Sequence, residues 1–286
     1  VSARGNNFII DSIPPLGGSN EELNPMDILL GSAATCAAFV YEGAAKEMGI
    51  ELTGITATAE GDFDVRGLLG EEGVNPRVQV FRVHLDVTGA TEEQLDALEE
   101  QYKARCPIFT TLSRSAPVEV TTNADQPSAP TEGLMTASSV ALVSNQQPGR
   151  AIVSSRGNHY IVDSVPPLGG PNEMRNPMDL ALGALATCAT IIYEDEAKER
   201  ELPLTGLAAT VEADFDPRGM AAGSSVNPRI QAFRVKMELE GPNPGQANQL
   251  EKAANQLEKG WTDRCPVYNT LIRSAPIEIE NVTISK

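Results

Sequence analysis

The sequence predicts an α+β protein built from two tandem copies of one domain. The run Asn-Pro-Met-Asp at residues 24–27 returns at residues 176–179, and the same offset of 152 residues holds as far as Arg82 and Arg234. A period of this length is too large for a solenoid unit, so each copy is expected to be a whole domain. Within each copy, strand-like segments are expected on one side of the helices, which is typical of the α+β class.

The domain limits follow from the repeat and from the composition between the copies. We expect a first domain over residues 1–123, a linker over residues 124–134 and a second domain over residues 135–286. The linker is rich in Pro, Ser and Thr, as flexible connections often are. The second copy carries a segment ahead of Arg156 that has no counterpart ahead of Arg4, so the first domain is expected to lack its first strand.

Charge and hydropathy restrict the classes of partner. The net charge of -17 argues against nucleic acid and against an anionic membrane, because phosphate recognition needs clustered basic residues and the 22 Lys and Arg form no such run. No apolar stretch reaches the roughly 18 residues that span a bilayer, and no charged-then-apolar leader opens the chain. We therefore expect a cytoplasmic protein whose partner is small or neutral.

The first half of each copy predicts one strand and one long helix. Residues 4–11 predict a strand, and the following Pro-Pro-Leu-Gly-Gly run predicts a loop. Asn24 is a good N-cap, and a helix without a strong breaker extends from Ile28 to Lys46 before the stop at Gly49. Because this helix is apolar on nearly every side, it is expected in a core, against its counterpart at residues 176–200.

The second half of each copy predicts three strands and two further helices. Strands are expected near residues 51–62 and 77–88, and Thr91 begins a capping box that opens an amphipathic helix ending at Arg105. A short helix is then expected over residues 108–115, and a last strand over residues 118–122.

Four cysteines lie two per copy, Cys36 with Cys106 and Cys188 with Cys265. In an intracellular chain, paired cysteines usually indicate chemistry or metal binding rather than a structural disulfide. A metal site is the weaker interpretation, because there is no C-x-x-C pair and neither of the two histidines recurs in the other copy. The sequence thus favours a redox role for these cysteines.

The two cysteines of a copy have different local settings. A proline follows Cys106 and Cys265, and proline prefers the first helical position, so each of these cysteines is expected at or next to an N-cap, where the helix dipole lowers the pKa of a thiol. Cys36 and Cys188 lie in the middle of the apolar helix, where a small core residue is the alternative interpretation.

Several short motifs, present in both copies, carry a family resemblance. In the first copy they are Gly17-Gly18, Asn24-Pro25-x-Asp27-x-Leu29-Leu30, Ala34-Thr35-Cys36 and Cys106-Pro107. They resemble the family of osmotically inducible protein C (OsmC) and the organic hydroperoxide resistance proteins. The resemblance implies two antiparallel sheets that enclose a pair of central helices, so that the two copies form an intramolecular pseudo-dimer with its sites at the interface.

The same resemblance implies a thiol peroxidase that acts in the response to oxidative stress. Cys36 and Cys188 would attack the peroxide, and Cys106 and Cys265 would resolve the resulting sulfenic acid as a disulfide. An external dithiol, such as the lipoyl group of a lipoylated protein, would then reduce the disulfide. The resemblance implies no cofactor, neither metal nor haem.

The family site also contains an arginine and a glutamate. Arg4 and Arg156 are similar in spacing to the family arginine, whose guanidinium could stabilise the thiolate; the alternative is a surface arginine at a strand end. The glutamate position holds Met26 in the first copy and Met178 in the second, which is a departure from the family pattern.

The neighbouring aspartate is a poor substitute within its own helix. Nine residues of an ideal helix rotate by about 900°, so Asp27 lies on the face opposite Cys36. Asp27 or Asp179 could serve only from across the opposite central helix, and an acid at the third helical position is more simply a capping residue.

Three functions are compatible with these features. The leading hypothesis is a thiol-dependent peroxidase that reduces small organic hydroperoxides through cysteine pairs at the interface of the two domains. The first alternative is a non-catalytic module that binds an apolar small molecule in an interface pocket enlarged by Met26 and Met178. The second alternative is a stress-accumulated structural protein whose cysteines are inert core residues.

Overall fold

A computed structural model describes residues 1–123, 128–129, 131–144, 147–274 and 277–285. Within the expected linker at residues 124–134, residues 124–127 and 130 lie outside the described residues.

The first copy contains a short hairpin, three further strands and four helices. In chain order these are β1 (Ser2–Ala3), β2 (Asn6–Asn7), α1 (Pro25–Met48), β3 (Gly54–Phe63), α2 (Val65–Leu68), β4 (Val78–Thr88), α3 (Glu92–Arg105), α4 (Pro107–Ser115) and β5 (Val118–Thr122).

The second copy has the same order with one additional strand at its start and a 3-10 turn at Pro217–Met220 in place of α2. Its elements are β6 (Met135–Ser144), β7 (Arg150–Ser155), β8 (Asn158–Asp163), α5 (Pro177–Glu199), β9 (Gly206–Phe215), β10 (Ile230–Gly241), α6 (Pro244–Arg264), α7 (Pro266–Leu271) and β11 (Ile277–Ser285).

Local signals account for the limits of the first long helix. The Asn24 side chain accepts hydrogen bonds from the backbone N–H groups of Met26 and Asp27, and the Asp27 carboxylate accepts one from the Asn24 N–H, which closes a capping box. Gly49 ends the helix at φ +70°, a left-handed conformation that favours glycine. The helix predicted from the sequence is therefore confirmed, together with the capping box of α3 at Thr91.

The larger sheet crosses the repeat. Its strand order is β5-β4-β3-β6-β7-β8, so the strands that open the second copy complete the sheet of the first. β3 and β6 pair antiparallel from Gly54 opposite Ser144 to Phe63 opposite Met135. The smaller sheet has the order β11-β10-β9 and belongs to the second copy alone.

The two long helices form the centre of the molecule. α1 packs on β3 and β6, α5 packs on β9, and the two helices contact each other between the sheets. Every residue of α1 from Met26 to Tyr41 is buried. The expectation that no apolar stretch could span a bilayer is wrong for α1, which is long and apolar enough to do so; 94% of its most apolar window is nevertheless buried inside the protein, as in the core helix of a folded domain. This arrangement confirms the predicted α+β fold.

The strand predicted over residues 4–11 is wrong in its extent. Only Asn6–Asn7 pair as β2, because their partner β1 has two residues. The repeated segment forms the six-residue strand β8, which pairs along its whole length with β7. Beyond β2, Ile10 forms an isolated bridge with Leu23.

Candidate functional site

Each copy contains one disulfide between a core helix and a helix N-terminus. Cys36 in α1 is bonded to Cys106, and Cys188 in α5 is bonded to Cys265, with Cα–Cα distances of 6.3 and 6.2 Å. Because each bond joins residues of the same copy, the two sites are independent at the covalent level.

The second cysteine of each pair is the N-cap residue that its following proline predicts. Cys106 precedes α4, and its Sγ accepts a hydrogen bond from the Phe109 N–H at 3.3 Å. Cys265 precedes α7, and its Sγ accepts one from the Tyr268 N–H at 3.2 Å. When the disulfide is reduced, these N–H groups and the helix dipole favour the thiolate form of the capping cysteine.

An apolar cavity of about 600 Å³ lies beside Cys188. Its walls come from both copies. Among the lining residues are Met26, Asp27 and Phe63 of the first copy and Arg156, Cys188 and Pro266 of the second. Strand β6 supplies a further wall through residues 135–138 and Val140.

A smaller cavity of about 320 Å³ lies beside Cys36. Residues equivalent to those of the first cavity line it, with the copies exchanged: Arg4, Cys36 and Pro107 from the first copy, and Met178, Asp179 and Phe215 from the second. Each pocket therefore contains one predicted arginine, the methionine of the opposite copy and one buried cysteine.

Each arginine contacts the aspartate at the start of the opposite copy's long helix. Arg4 Nε donates to Asp179 Oδ2 at 2.7 Å, and Arg156 Nη1 lies 3.4 Å from Asp27 Oδ2. Asp27 cannot reach the Cys36 site from its own helix, but Asp179 of the opposite long helix lies beside the Cys36 pocket. The sequence predicts that an aspartate can act only from this position, on the opposite central helix.

Asp27 has two structural partners in addition to Arg156. Its carboxylate accepts the Asn24 N–H at 2.8 Å and the Ser155 hydroxyl at 2.8 Å, and only 1% of Asp27 is exposed. Burial raises the pKa of Asp27, although the hydrogen bonds from Asn24, Ser155 and Arg156 act in the opposite direction. One carboxylate thus caps α1 and holds the arginine of the Cys188 pocket.

Two asparagines complete the arginine contacts and were missed by sequence reasoning. Arg4 Nη1 donates to Asn172 Oδ1 at 2.7 Å, and Arg156 Nη2 donates to the backbone O of Asn20 at 2.5 Å. The signal was present, because Asn20 and Asn172 recur at the same offset of 152 residues.

The backbone at the arginines and asparagines is unusual in both copies. The φ angles are 51° at Arg4, 49° at Arg156, 60° at Asn20 and 57° at Asn172. A left-handed conformation is uncommon for an arginine, and it often marks functional positions. At the arginines it has a local cause, because Arg4-Gly5 and Arg156-Gly157 are the two-residue turns of hairpins and such turns need positive φ at both positions.

In the part of the chain that the structure describes, no group of three or more His, Cys, Asp or Glu side chains could hold a metal ion. Each pocket is lined by one cysteine of a disulfide, one Arg–Asp pair, a few uncharged polar residues and apolar side chains.

Each of the two pockets thus combines one disulfide-bonded cysteine with an Arg–Asp pair at the junction of the two copies. The family model of OsmC-like proteins matches residues 18–121 and 170–280. The chain therefore belongs to the OsmC-like family, with two tandem matches to it.

Solved structures align with about half of the chain each. An OsmC-like protein from Mycoplasma pneumoniae is 16% identical, with 50% of this chain and 93% of that chain covered at a TM-score of 0.40. A putative osmotic stress induced and detoxification response protein from Psychrobacter arcticus is 19% identical, with 49% and 93% covered at a TM-score of 0.39.

A third solved structure is described as an organic hydroperoxide resistance protein OsmC from Legionella pneumophila. It is 18% identical to this chain, with 46% of this chain and 89% of that chain covered at a TM-score of 0.35. No curated protein matches the chain.

Proposed function

We propose that the protein is a thiol-dependent peroxidase that reduces small organic hydroperoxides at two dithiol sites. The observation that carries the proposal is the meeting of Cys36, Arg4 and Asp179 in one apolar pocket, repeated by Cys188, Arg156 and Asp27. Membership of a family that includes organic hydroperoxide resistance proteins supports it. Because each pocket takes residues from both copies, the functional unit is the pair of domains at 1–123 and 135–286.

The first step is attack on the O–O bond. The Cys36 thiolate attacks the terminal oxygen of R–O–O–H: an S–O bond forms, the O–O bond breaks, and the departing alkoxide takes a proton from water to become R–OH. Sulfur is oxidised to sulfenic acid and the peroxide is reduced. The Arg4 guanidinium, held by Asp179, stabilises the thiolate and the charge that develops on the leaving oxygen.

The second step regenerates a disulfide, which an external dithiol then reduces. The Cys106 thiolate attacks the sulfur of the sulfenic acid and releases water, which leaves the Cys36–Cys106 bond. The structure holds the product of this step, a Cys36–Cys106 disulfide with a Cα–Cα distance of 6.3 Å, which lies in the usual range for disulfides. A dithiol such as a lipoyl group of a lipoylated protein reduces the bond and becomes a disulfide itself, in a reducing cytoplasmic compartment.

A second candidate function is binding without turnover. Met26 is 4% exposed, and it lines an apolar cavity of about 600 Å³, a volume in the range of small-molecule sites. An apolar ligand would then occupy the Cys188 pocket while the cysteines stay oxidised.

Thiol trapping after a stoichiometric addition of peroxide separates these functions. The protein is reduced, freed of reductant and mixed with one equivalent of cumene hydroperoxide per site, and the remaining thiols are alkylated and located by mass spectrometry. The peroxidase predicts loss of two thiols per equivalent and one equivalent of cumyl alcohol. Full alkylation of all four cysteines with unconsumed peroxide would exclude the peroxidase and favour the binding module.

A further inference from the structure

We propose that Met26 and Met178 are oxidised to methionine sulfoxide by an organic hydroperoxide held beside the arginine of the same pocket. The reaction takes place when the cysteines of that pocket are already joined as a disulfide. This proposal rests on the proposed function only in that an organic hydroperoxide enters the pockets, and it involves no thiol.

The methionines of the chain are concentrated at the two pockets. Met26 and Met135 line the cavity of about 600 Å³. Met178 and Met220 line the cavity of about 320 Å³. Four of the seven methionines of the chain therefore lie on the cavity walls. Met26 and Met178 hold equivalent positions in the two copies, so both pockets present a thioether from the same helical position.

The pocket of Cys188 shows which group can react while the disulfide is intact. Cys188 is bonded to Cys265, so its sulfur is not available as a thiolate. The other lining side chains are hydrocarbon, hydroxyl and amide groups, the Arg156–Asp27 pair and two thioethers. Among these groups the thioether is the one that a hydroperoxide oxidises, because its sulfur carries a polarisable lone pair.

Each of the two methionines lies at a place that favours negative charge on oxygen. Met26 is the second residue of α1 and directly precedes Asp27, which contacts Arg156. Met178 has the same place in α5, beside the aspartate that Arg4 contacts. The guanidinium and the helix N-terminus both stabilise an oxygen that gains negative charge there, on the departing alkoxide or on the sulfoxide.

The reaction is the transfer of one oxygen atom. A lone pair of the methionine sulfur attacks the terminal oxygen of R–O–O–H, an S–O bond forms and the O–O bond breaks. The proton of the terminal oxygen passes to the departing alkoxide, so the products are methionine sulfoxide and R–OH. Sulfur is oxidised by two electrons and the peroxide is reduced by two, so no further oxidant is needed. Each methionine reacts once, and a methionine sulfoxide reductase restores the thioether.

Burial separates oxidation inside a pocket from oxidation by the bulk solvent. Met26 is 4% exposed, whereas Met48 is 47% exposed and is not among the lining residues of either cavity. Met237 is 0% exposed and also lies outside both linings. A reagent that acts from the solvent therefore reaches Met48 first, whereas a reagent that the apolar cavity binds reaches Met26 first.

The test uses the full chain with both disulfides formed by diamide, so that no thiol takes part. One sample receives cumene hydroperoxide and a second receives hydrogen peroxide. The gain of one oxygen atom is followed over time by mass spectrometry of tryptic peptides, which separate Met26, Met178, Met48 and Met237 from one another.

The two peroxides are expected to oxidise the methionines in different orders. With cumene hydroperoxide, Met26 and Met178 are expected to react about tenfold faster than Met48, because the pocket holds the peroxide beside them. With hydrogen peroxide, which has no apolar group for the cavity to bind, Met48 is expected to react first. Met237 is expected to stay unoxidised in both samples, which checks that the protein remains folded.

The arginines of the two pockets provide a matched pair of variants. Arg156→Ala removes the cation beside Met26, so the oxidation of Met26 by cumene hydroperoxide is expected to slow several-fold. Met178 in the same molecule keeps its arginine and is expected to keep its rate. Arg4→Ala is expected to give the reverse result, so each molecule contains its own control.

Two results would overturn the proposal. One is that Met48 reacts before Met26 and Met178 with cumene hydroperoxide as well. The other is that neither arginine variant slows the methionine of its own pocket more than the methionine of the other pocket.

Thiol trapping on the reduced protein is a separate measurement and decides on the peroxidase. Loss of thiols without preferential oxidation of Met26 and Met178 in the disulfide form removes this proposal alone. Preferential oxidation of the two methionines without loss of thiols removes the peroxidase alone.

Discussion

Arg4 and Asp179 are 175 residues apart in the chain and form an ion pair at 2.7 Å beside the Cys36 pocket. Asp179 also closes the capping box of α5, because it accepts the Asn176 N–H at 2.8 Å. The folding of the helix start therefore fixes the carboxylate that orients the arginine. The aspartate at the third helical position therefore both caps α5 and contacts the arginine of the other copy.

The Arg4–Asp179 pair predicts a graded loss of peroxide consumption. In a Cys188→Ser, Cys265→Ser background only the first site is active. There, Arg4→Ala is expected to lower the rate on the order of a hundredfold, because charge on the leaving oxygen loses its donor. Asp179→Asn is expected to lower the rate less, since the arginine remains but is held less firmly.

The repeat supplies the control for this series. Asp27→Asn in the same background changes the equivalent carboxylate of the inactive pocket, so the rate at Cys36 is expected to stay within about twofold. Initial rates of cumene hydroperoxide loss measure all three variants, and circular dichroism checks their folding. Equal rates for Arg4→Ala and its parent would remove the arginine from the mechanism.

The methionines at the family glutamate position predict that the reaction is slow and can be improved. Met26→Glu and Met178→Glu would each place a second carboxylate beside the arginine of a pocket, and turnover is expected to rise when Arg4 and Arg156 are in place. Met26→Gln and Met178→Gln are matched controls, because glutamine has nearly the same shape without the charge. A rise with glutamine as large as that with glutamate would show that pocket shape, rather than charge, limits the rate.

Local features of this fold were predictable, and contacts between distant segments were not. Asn24 and Gly49 limit α1 through their own backbone preferences, and the proline after Cys106 places it at an N-cap; each signal acts within a few residues. The pairing of β3 with β6 joins segments far apart in sequence, and no local pattern specifies which edge a strand will find. The contact between Arg4 and Asp179 depends on that same assembly.

The ion pair Arg82–Asp62 is buried, whereas the equivalent pair Arg234–Asp214 is exposed. The same substitution is therefore expected to lower the free energy of unfolding by different amounts in the two copies. Asp62→Asn leaves Arg82 buried with an incomplete partner, and breaking a buried pair is expected to lower the free energy of unfolding by about 3–5 kcal/mol. Asp214→Asn changes a carboxylate that is 60% exposed, so little change is expected. Urea unfolding followed by circular dichroism compares the two variants. Equal urea midpoints for the two variants would contradict the expectation that the pair covered by β6 contributes more to stability.

The buried carboxylates Asp27 and Asp62 predict opposite pH dependences of stability. Burial raises the pKa of Asp27 above its ordinary value of 3.8, so the folded state holds the Asp27 proton more tightly than the unfolded state. The stability of the parent relative to Asp27→Asn is therefore highest below pH 3.8 and falls as the pH rises through the folded pKa.

For Asp62, burial raises the pKa, but hydrogen bonds from Arg82, Thr136 and Thr131 outweigh burial and hold the pKa well below 3.8. The stability of the parent relative to Asp62→Asn is accordingly present above pH 3.8 and is lost as the pH falls. Urea midpoints between pH 3 and pH 7 measure both differences. If the difference in stability between parent and variant changed with pH in the same direction for both variants, the opposite pKa shifts of Asp27 and Asp62 would be contradicted.

The two cysteines of a copy predict different chemical products when they are replaced singly. In the Cys188→Ser, Cys265→Ser background, Cys106→Ser is expected to leave a sulfenic acid on Cys36 after peroxide, because no thiol remains to resolve it. A dimedone-type reagent traps that species, and the mass shift on the peptide containing Cys36 measures it. Cys36→Ser in the same background is expected to abolish peroxide consumption, while the Cys106 thiol stays free for alkylation. Trapping on Cys106 instead would reverse the two roles, and consumption that persists without Cys36 and Cys188 would leave ligand binding as the function of the pockets.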